Sequence, residues 1–262
     1  AISLRPVDKA GYEDWFRAQP EFVRQSLSAQ KFEAAAGTYA VIPGYAGDDW
    51  SAIFGVADRG HLDQWSLAKL SENLPAGKYR PVDADLGDAM LGWMLGQYVF
   101  DEYRSEKKDN GARILLVKEA GKIAQAAIQA EGTGLVRDLV NRPAADMGPA
   151  ALEMVTKKIA KAYKAECHVV TGHDLENGYP LIHAVGRAAS REFAPRLIEM
   201  VWGDPRHPRV ALVGKGVAFD SGGLDMKSAT GMRLMKKDMG GAAHVLALAE
   251  MVMKSHLPVR LH

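Results

Sequence analysis

VGKGVAFDSGGLDMKSATGMRLMKKDMGGAAHV, residues 213–245, leaves an apolar strand-like run, crosses a glycine-rich loop and enters a helix-forming stretch. Polar side chains in such a strand–loop–helix passage stand at the carboxyl end of a strand, where open α/β sheets place their ligands. Between Lys215 and Asp238 lie Asp220, Asp225 and Lys227, with glycines at 216, 222, 223 and 231. That density of charge among glycines and small residues exceeds what packing alone requires, and a solvated surface loop with turn glycines is the competing reading of the composition.

The flanking sequence alternates between strand and helix patterns. Downstream, Gly240–Lys254 has helical periodicity and residues 258–261 begin a strand. Upstream, Pro149 suits a first helical turn, where the missing N–H costs nothing, and opens a helix to about Lys164 with Leu152, Val155 and Ile159 on one face. Then come a strand at 167–171, a short helix at 174–178, a short extended run at 182–185, a strand at 196–202, a polar turn at 203–208 and a strand at 209–213. Such alternation implies a mostly parallel, two-sided α/β sheet.

Residues 119–141 form one long helical pattern, in which Ile123, Ala127, Ala130 and Gly134 leave room for a neighbour. This helix is expected to link two domains. The preceding part carries four of the five tryptophans, at 15, 50, 65 and 93. Its β-rich run 39–42 stops at Pro43-Gly44, and Asp48-Asp49 could cap a helix holding Trp50, Ile53 and Phe54. Residues 86–103 read as a helix with apolar groups on several faces, 106–111 as a polar turn and 113–117 as a short strand. The expected fold class is therefore α/β: a small N-terminal α/β domain at 1–112 without visible chemistry, then a mostly parallel α/β sheet domain at 113–262.

Composition narrows the function. The 262 residues are 47% hydrophobic and 25% charged, enough for packed cores and unlike disordered or collagen-like chains. The net charge of +1 does not favour phosphate-backbone binding, although residues 1–112 carry −5 and residues 113–262 carry +6. A single cysteine, Cys167, cannot close an internal disulfide and fits a reducing compartment. No apolar run of ~18 residues or secretory leader pattern is visible, so a cytoplasmic protein without a membrane partner is expected.

Gly214-Lys215 superficially suggests a phosphate-binding loop, but Arg209 and Gly216 stand where that motif needs a glycine and a serine or threonine. Carboxylates at Asp220 and Asp238 suit a divalent metal better, as oxygen ligands for Zn²⁺, Mg²⁺ or Mn²⁺. A neighbouring lysine can ligate as a neutral amine, or stabilise an oxyanion as an ammonium. Lys215 and Lys227 permit one of each, and spacing alone does not assign them.

The segment resembles the signature region of the leucine aminopeptidase family, the dinuclear-metal cytosolic aminopeptidases. The likeness rests on Val-Gly-Lys-Gly-Val, Phe-Asp-Ser-Gly-Gly, a lysine seven residues after that aspartate, and Met-x-x-Asp-Met-Gly-Gly-Ala-Ala. Val136-Arg-Asp-Leu-Val-Asn-Arg-Pro-Ala-Ala-Asp-Met-Gly-Pro149 is similar to the family's approach to its catalytic domain. The resemblance implies that Asp220 bridges two metal ions, that Lys215 and Asp238 complete the protein ligands of the tighter-held one, and that Lys227 holds the substrate carbonyl oxygen. Met235 would line the pocket for the N-terminal side chain. It further implies two divalent ions per subunit (Zn or Mn, with Mg as a further candidate), a bicarbonate base, peptide substrates with leucine-type preference, and a homo-hexamer.

One departure stands out. The family's second signature, Asn-Thr-Asp-Ala-Glu-Gly-Arg, supplies further metal ligands, and its partial echo here is Ala130-Glu131-Gly132. The chain is accordingly expected to be an N-terminal portion of a longer protein, or one piece of a cleaved one, and, with three protein ligands for two ions that each want about four or more donors, to be inactive alone. A DNA-binding architectural protein and a catalytically inactive scaffold are the competing readings. Asp225 reads as a solvated loop carboxylate, Arg233, Lys236 and Lys237 as surface or subunit-contact charge, His244 as a helix histidine without a metal, and Cys167 as a small core hydrophobe. The eight histidines offer no zinc motif, and Ser221 lacks the nucleophile-elbow context.

Overall fold

The computed structural model describes residues 1–44, 49–107, 109–118 and 120–262. The chain divides into two compact units, Ala1–Ala130 and Glu131–His262.

In the first unit, β1 (Ile2–Val7), α1 (Lys9–Arg17), α2 (Glu21–Ala29), β2 (Tyr39–Pro43), β3 (Trp50–Gly55), α3 (Ala68–Asn73), β4 (Gly77–Pro81), α4 (Ala89–Leu95) and β5 (Arg113–Leu115) follow in order. The strands form one five-stranded sheet ordered β2-β3-β1-β4-β5. β1 is parallel to β3 and β4, β4 is parallel to β5, and β2 lies antiparallel to β3. Successive side chains of a strand point to opposite faces, and β3 uses both. Ala52 and Phe54 join Leu70, Met90 and Trp93 from α3 and α4, whereas Ile53 joins Tyr12, Val23 and Leu27 from α1 and α2. Both faces are thus covered, as a largely parallel sheet requires. α1 begins where it does because the Asp8 carboxylate accepts from the Gly11 N–H at 2.8 Å. That bond and a second one from the Arg59 N–H hold the Asp8 carboxyl below its ordinary range.

Two expectations for this unit need correction. Trp50, Ile53 and Phe54 lie on β3 and not on a helix. An interior strand is buried on both faces and shows no alternation, so a short apolar run reads ambiguously. Asp48 falls outside the described residues. The helix read over 86–103 is α4 alone. A side chain at Gly92 or Gly96 would run into the backbone at Gln64 or Ala68, so α4 is held against α3 by this close approach. Just past Gly96 the Gln97 side chain turns to the backbone of Arg113.

α5 (Ala120–Asn141) spans the division between the units. The second unit continues with α6 (Pro149–Tyr163), β6 (Glu166–Thr171), α7 (Gly172–Gly178), α8 (Pro180–Gly186), β7 (Arg196–Val201), β8 (Arg209–Val210), α9 (Ala229–Arg233), α10 (Gly240–Lys254) and β9 (Arg260–Leu261). β6 and β7 pair antiparallel with Glu166 opposite Val201; β8 and β9 pair parallel. Trp202 bridges to Leu261 just past the end of β7. Leu139, Met147, Leu152, Ile159, Met239, Leu246, Met253 and Leu261 make the core, each fully buried aliphatic contributing about 1.5–3 kcal/mol.

Here too the sequence pattern misleads in places. The run 182–185 is helical, within α8. Pro180 occupies its first turn, and the Tyr179 carbonyl accepts from the Ile182 and His183 N–H groups at 3.1 Å each. The strands expected at 209–213 and 258–261 shrink to β8 and β9, because the chain leaves the sheet after Leu212 to bring Gly214 against α10. Cys167 is half-buried on β6, and burial raises its thiol pKa. No described helix is long and apolar enough to cross a membrane.

Candidate active site

The loop after β8 is fixed to the start of α10 by a contact that two glycines permit. A side chain on Gly214 would stand 2.5 Å from the Gly241 carbonyl oxygen and 2.7 Å from a Val245 methyl. One on Gly241 would stand 2.7 Å from the Lys215 backbone nitrogen. The Ala242 N–H donates to the Lys215 carbonyl at 2.8 Å, closing the junction. Lys215 is thereby held beside the segment that carries Asp238, and its ammonium lies 3.1 Å from Asp238 Oδ2.

Asp220 sits further along the same loop. Its Oδ1 accepts from the Gly222 N–H at 2.7 Å and its Oδ2 from Lys227 Nζ at 2.9 Å. Lys227 Nζ also donates to the Asp220 carbonyl at 3.2 Å and lies 3.3 Å from Met235 Sδ. Gly222 has φ +84°, and a Cβ there would be 2.9 Å from Lys227 Cγ, so this turn needs glycine twice over. Leu224 and Asp225 follow with φ near +50°, an uncommon conformation for side-chain-bearing residues. α9 then starts at the Ser228 cap, which accepts from the Gly231 N–H, and a short 3₁₀ segment, Met235–Met239, delivers Met235 and Asp238. Met239 is wholly buried and roots that segment in the core.

The five residues singled out in the sequence are therefore brought together in two contacting sets, Lys227 with Asp220 and Met235, and Lys215 with Asp238. The Lys227 hydrogen bond, chiefly, and the Gly222 N–H hold the Asp220 carboxyl below its ordinary range, with Lys215 adding a through-space contribution. Asp220 is thus anionic at neutral pH. The Lys215 and Asp220 side chains are 62% and 47% exposed, so their ion pairs are of the weak, solvent-screened surface kind. A divalent cation can displace them at little cost.

The donor chemistry fits such a cation. Two carboxylates already rest against positive charge, and Lys215 can serve as an amine ligand once deprotonated. Among the described residues no group of three His, Cys, Asp or Glu side chains gathers to hold a metal, so the amine is needed even for three protein donors. Asp225 is exposed in the loop, and His244 is exposed with Nδ1 2.6 Å from the Gly240 carbonyl. Lys236, read from the sequence as surface or subunit-contact charge, donates to the carbonyl of Asn141 at 2.7 Å. Nothing in its local sequence separates it from the exposed Lys237, because its partner lies 95 residues away.

Residues 134–262 match the catalytic domain of the cytosol aminopeptidase family, and residues 2–117 match the M17 aminopeptidase N-terminal domain. A probable cytosol aminopeptidase from Leifsonia xyli subsp. xyli is 36% identical over 253 residues, which cover 90% of this chain and 51% of that protein. The crystal structure of cytosol aminopeptidase from Coxiella burnetii superposes with a TM-score of 0.88 at 40% identity, covering 99% of this chain and 57% of that one. The bottromycin maturation enzyme BotP in complex with Mn gives 0.81 at 29% identity, covering 99% and 57%. The chain spans about half the length of these relatives.

Proposed function

Because the chain belongs to the M17 cytosol aminopeptidase family, we propose that it carries the first part of the active site of a metal-dependent aminopeptidase, one that releases N-terminal residues from peptides with a leucine-type preference. The observation that carries this reading is that one loop–helix passage holds two contacting sets, Lys227 with Asp220 and Met235, and Lys215 with Asp238. Asp220, Asp238 and Lys215 would hold divalent metal, Asp220 as the residue shared between two ions. The ions, when bound, supply Lewis-acid polarisation of the scissile carbonyl and a nucleophilic water at neutral pH. A manganese complex of the similar BotP supports divalent metal here.

The protein's own part follows from where its groups lie. Lys227 presents an ammonium beside Asp220, the position from which a cation stabilises the oxygen that gains charge as a carbonyl is attacked. Its contact with Met235 sets that ammonium at the edge of an apolar side chain, which would take up the residue being released. Residues 1–112 would form an accessory domain, and residues 113–262 the beginning of the catalytic one. A bicarbonate base, a homo-hexamer and a cytoplasmic location complete the reading. Three protein donors do not suffice for two ions, so the remaining ligands would come from outside these residues.

The test is turnover of leucine p-nitroanilide with Mn²⁺, Zn²⁺ or Mg²⁺, by a chain of family length that begins with these residues and by residues 1–262 alone. The long chain is expected to release leucine and the short one not. A long chain without activity under all three metals overturns the aminopeptidase reading; robust activity in the short chain overturns the division of ligands.

A further inference from the structure

We propose that Lys236 is a positioning residue for this site, resting on the aminopeptidase reading above: it clasps the last residue of α5 and so holds Asp238 toward Lys215. Asp238 rides on a 3₁₀ segment of five residues, a conformation with poorer hydrogen-bond geometry than an α-helix and little stiffness of its own. One end of the segment is rooted by Met239, which is wholly buried. At the other end the half-buried Lys236 crosses to the carbonyl of Asn141 at 2.7 Å. Pro143 stands two residues beyond Asn141 and ends α5 there. The carboxyl end of a helix carries partial negative charge and terminal carbonyls that favour a cation. A lysine ammonium meets both demands.

Between these two anchors lies Asp238, and Met235 immediately precedes Lys236. The clasp also gives a role to the run that begins at Asn141: it ties the end of the long helix to the segment bearing two site residues. Lys237, the next residue along, is exposed and serves as the internal comparison.

Lys236→Met removes the donor while keeping the stem, Lys236→Arg restores a donor to the same carbonyl, and Lys237→Met is the control. In the 262-residue chain without metal, amide hydrogen exchange over residues 235–241 is expected to quicken in K236M and to return toward the original rate in K236R. In a chain of family length, the Mn²⁺ concentration giving half-maximal turnover should rise about tenfold in K236M, the lower end of what outer partners of metal sites contribute. K236R and K237M should keep the original midpoint. A general loss of folded protein would lower the plateau without moving that midpoint. Should K236M not fold, Lys236→Gln, too short to reach Asn141, carries the same two measurements. Unchanged exchange over 235–241 together with an unchanged Mn²⁺ midpoint overturns the proposal. If the unaltered long chain shows no turnover, the aminopeptidase reading falls, and exchange in the short chain alone decides for or against the clasp.

Discussion

Asp220 and Lys227 touch one another, and the proposed reading gives them separable duties. The Asp220 carboxylate accepts from Lys227 Nζ and from the Gly222 N–H, and both donors hold it anionic. Asp220→Asn keeps the shape and removes the charge. It should cost Mn²⁺ affinity by more than the roughly 10- to 100-fold that an outer partner contributes, and turnover should disappear with it. Lys227→Ala removes the ammonium that would compete with a metal ion for Asp220 Oδ2. Mn²⁺ affinity should then hold or rise, while turnover falls by about 10²- to 10³-fold, the loss measured when one donor to a developing oxyanion is deleted. Isothermal titration with Mn²⁺ beside leucine p-nitroanilide kinetics separates the two variants. Equal losses of metal affinity in both would show that Lys227 serves the metal and not the substrate.

At the level of elements, both outer strands of the five-stranded sheet are closed by a glutamine. Gln30 receives the Val41 N–H at 3.0 Å and donates to the Val41 carbonyl at 2.7 Å, so its amide imitates a neighbouring strand along β2. Gln97 makes the corresponding pair of bonds with Arg113 on β5, and Trp93 adds a third. Exposed strand edges pair with other chains unless blunted. Pro43, without an N–H, helps on β2, and the shortness of β5 helps on the other side. Gln30→Leu with Gln97→Leu should lower stability by about 1 kcal/mol per lost bond pair and bring on concentration-dependent association, read by light scattering; a monodisperse double variant would refute this. None of it was legible in the sequence, since a glutamine at 30 or 97 looks like any other polar helix residue and its partner is chosen by the fold. What was legible is of another kind. α10 and α6 were readable because fifteen residues carry helical periodicity over four turns, and the candidate residues stood out because charge and glycine crowd one local stretch from Lys215 to Asp238. β3 and α8 were misread because elements of six or seven residues are too short to distinguish a period of 2 from one of 3.6.

For the whole molecule, two units with separate cores are expected to unfold in more than one step, so a single stability value will not describe the chain. One ionic contact marks the second unit. Glu153 on α6 lies 2.6 Å from Lys157 and pairs also with Arg196 on β7, the Glu153 and Arg196 side chains being only 17% and 13% exposed. The hydrogen bond from Lys157, the largest effect, lowers the Glu153 pKa below 4.5; burial opposes it, and the Arg196 hydrogen bond and the charges of both cations add to the lowering. A carboxyl whose pKa is depressed by folding stabilises the folded state above its unfolded value and loses that contribution as pH falls through the depressed folded value. The contact should therefore be complete at pH 7 and fade below about pH 4.5. Glu153→Gln gives up the charge at every pH. It should lower the stability of residues 131–262 by about 1.5–3 kcal/mol at pH 7, the worth of hydrogen bonds to a charged group, and flatten the acid limb of that unit's unfolding curve. Urea unfolding followed by hydrogen exchange, at pH 7 and again near pH 3.5, resolves the two units. The first unit should respond to pH alike with and without the substitution, because its core and its sheet contain no part of this ion pair. A second unit whose acid limb keeps its slope in the variant would place the pH dependence elsewhere and reduce Glu153 to a surface contact.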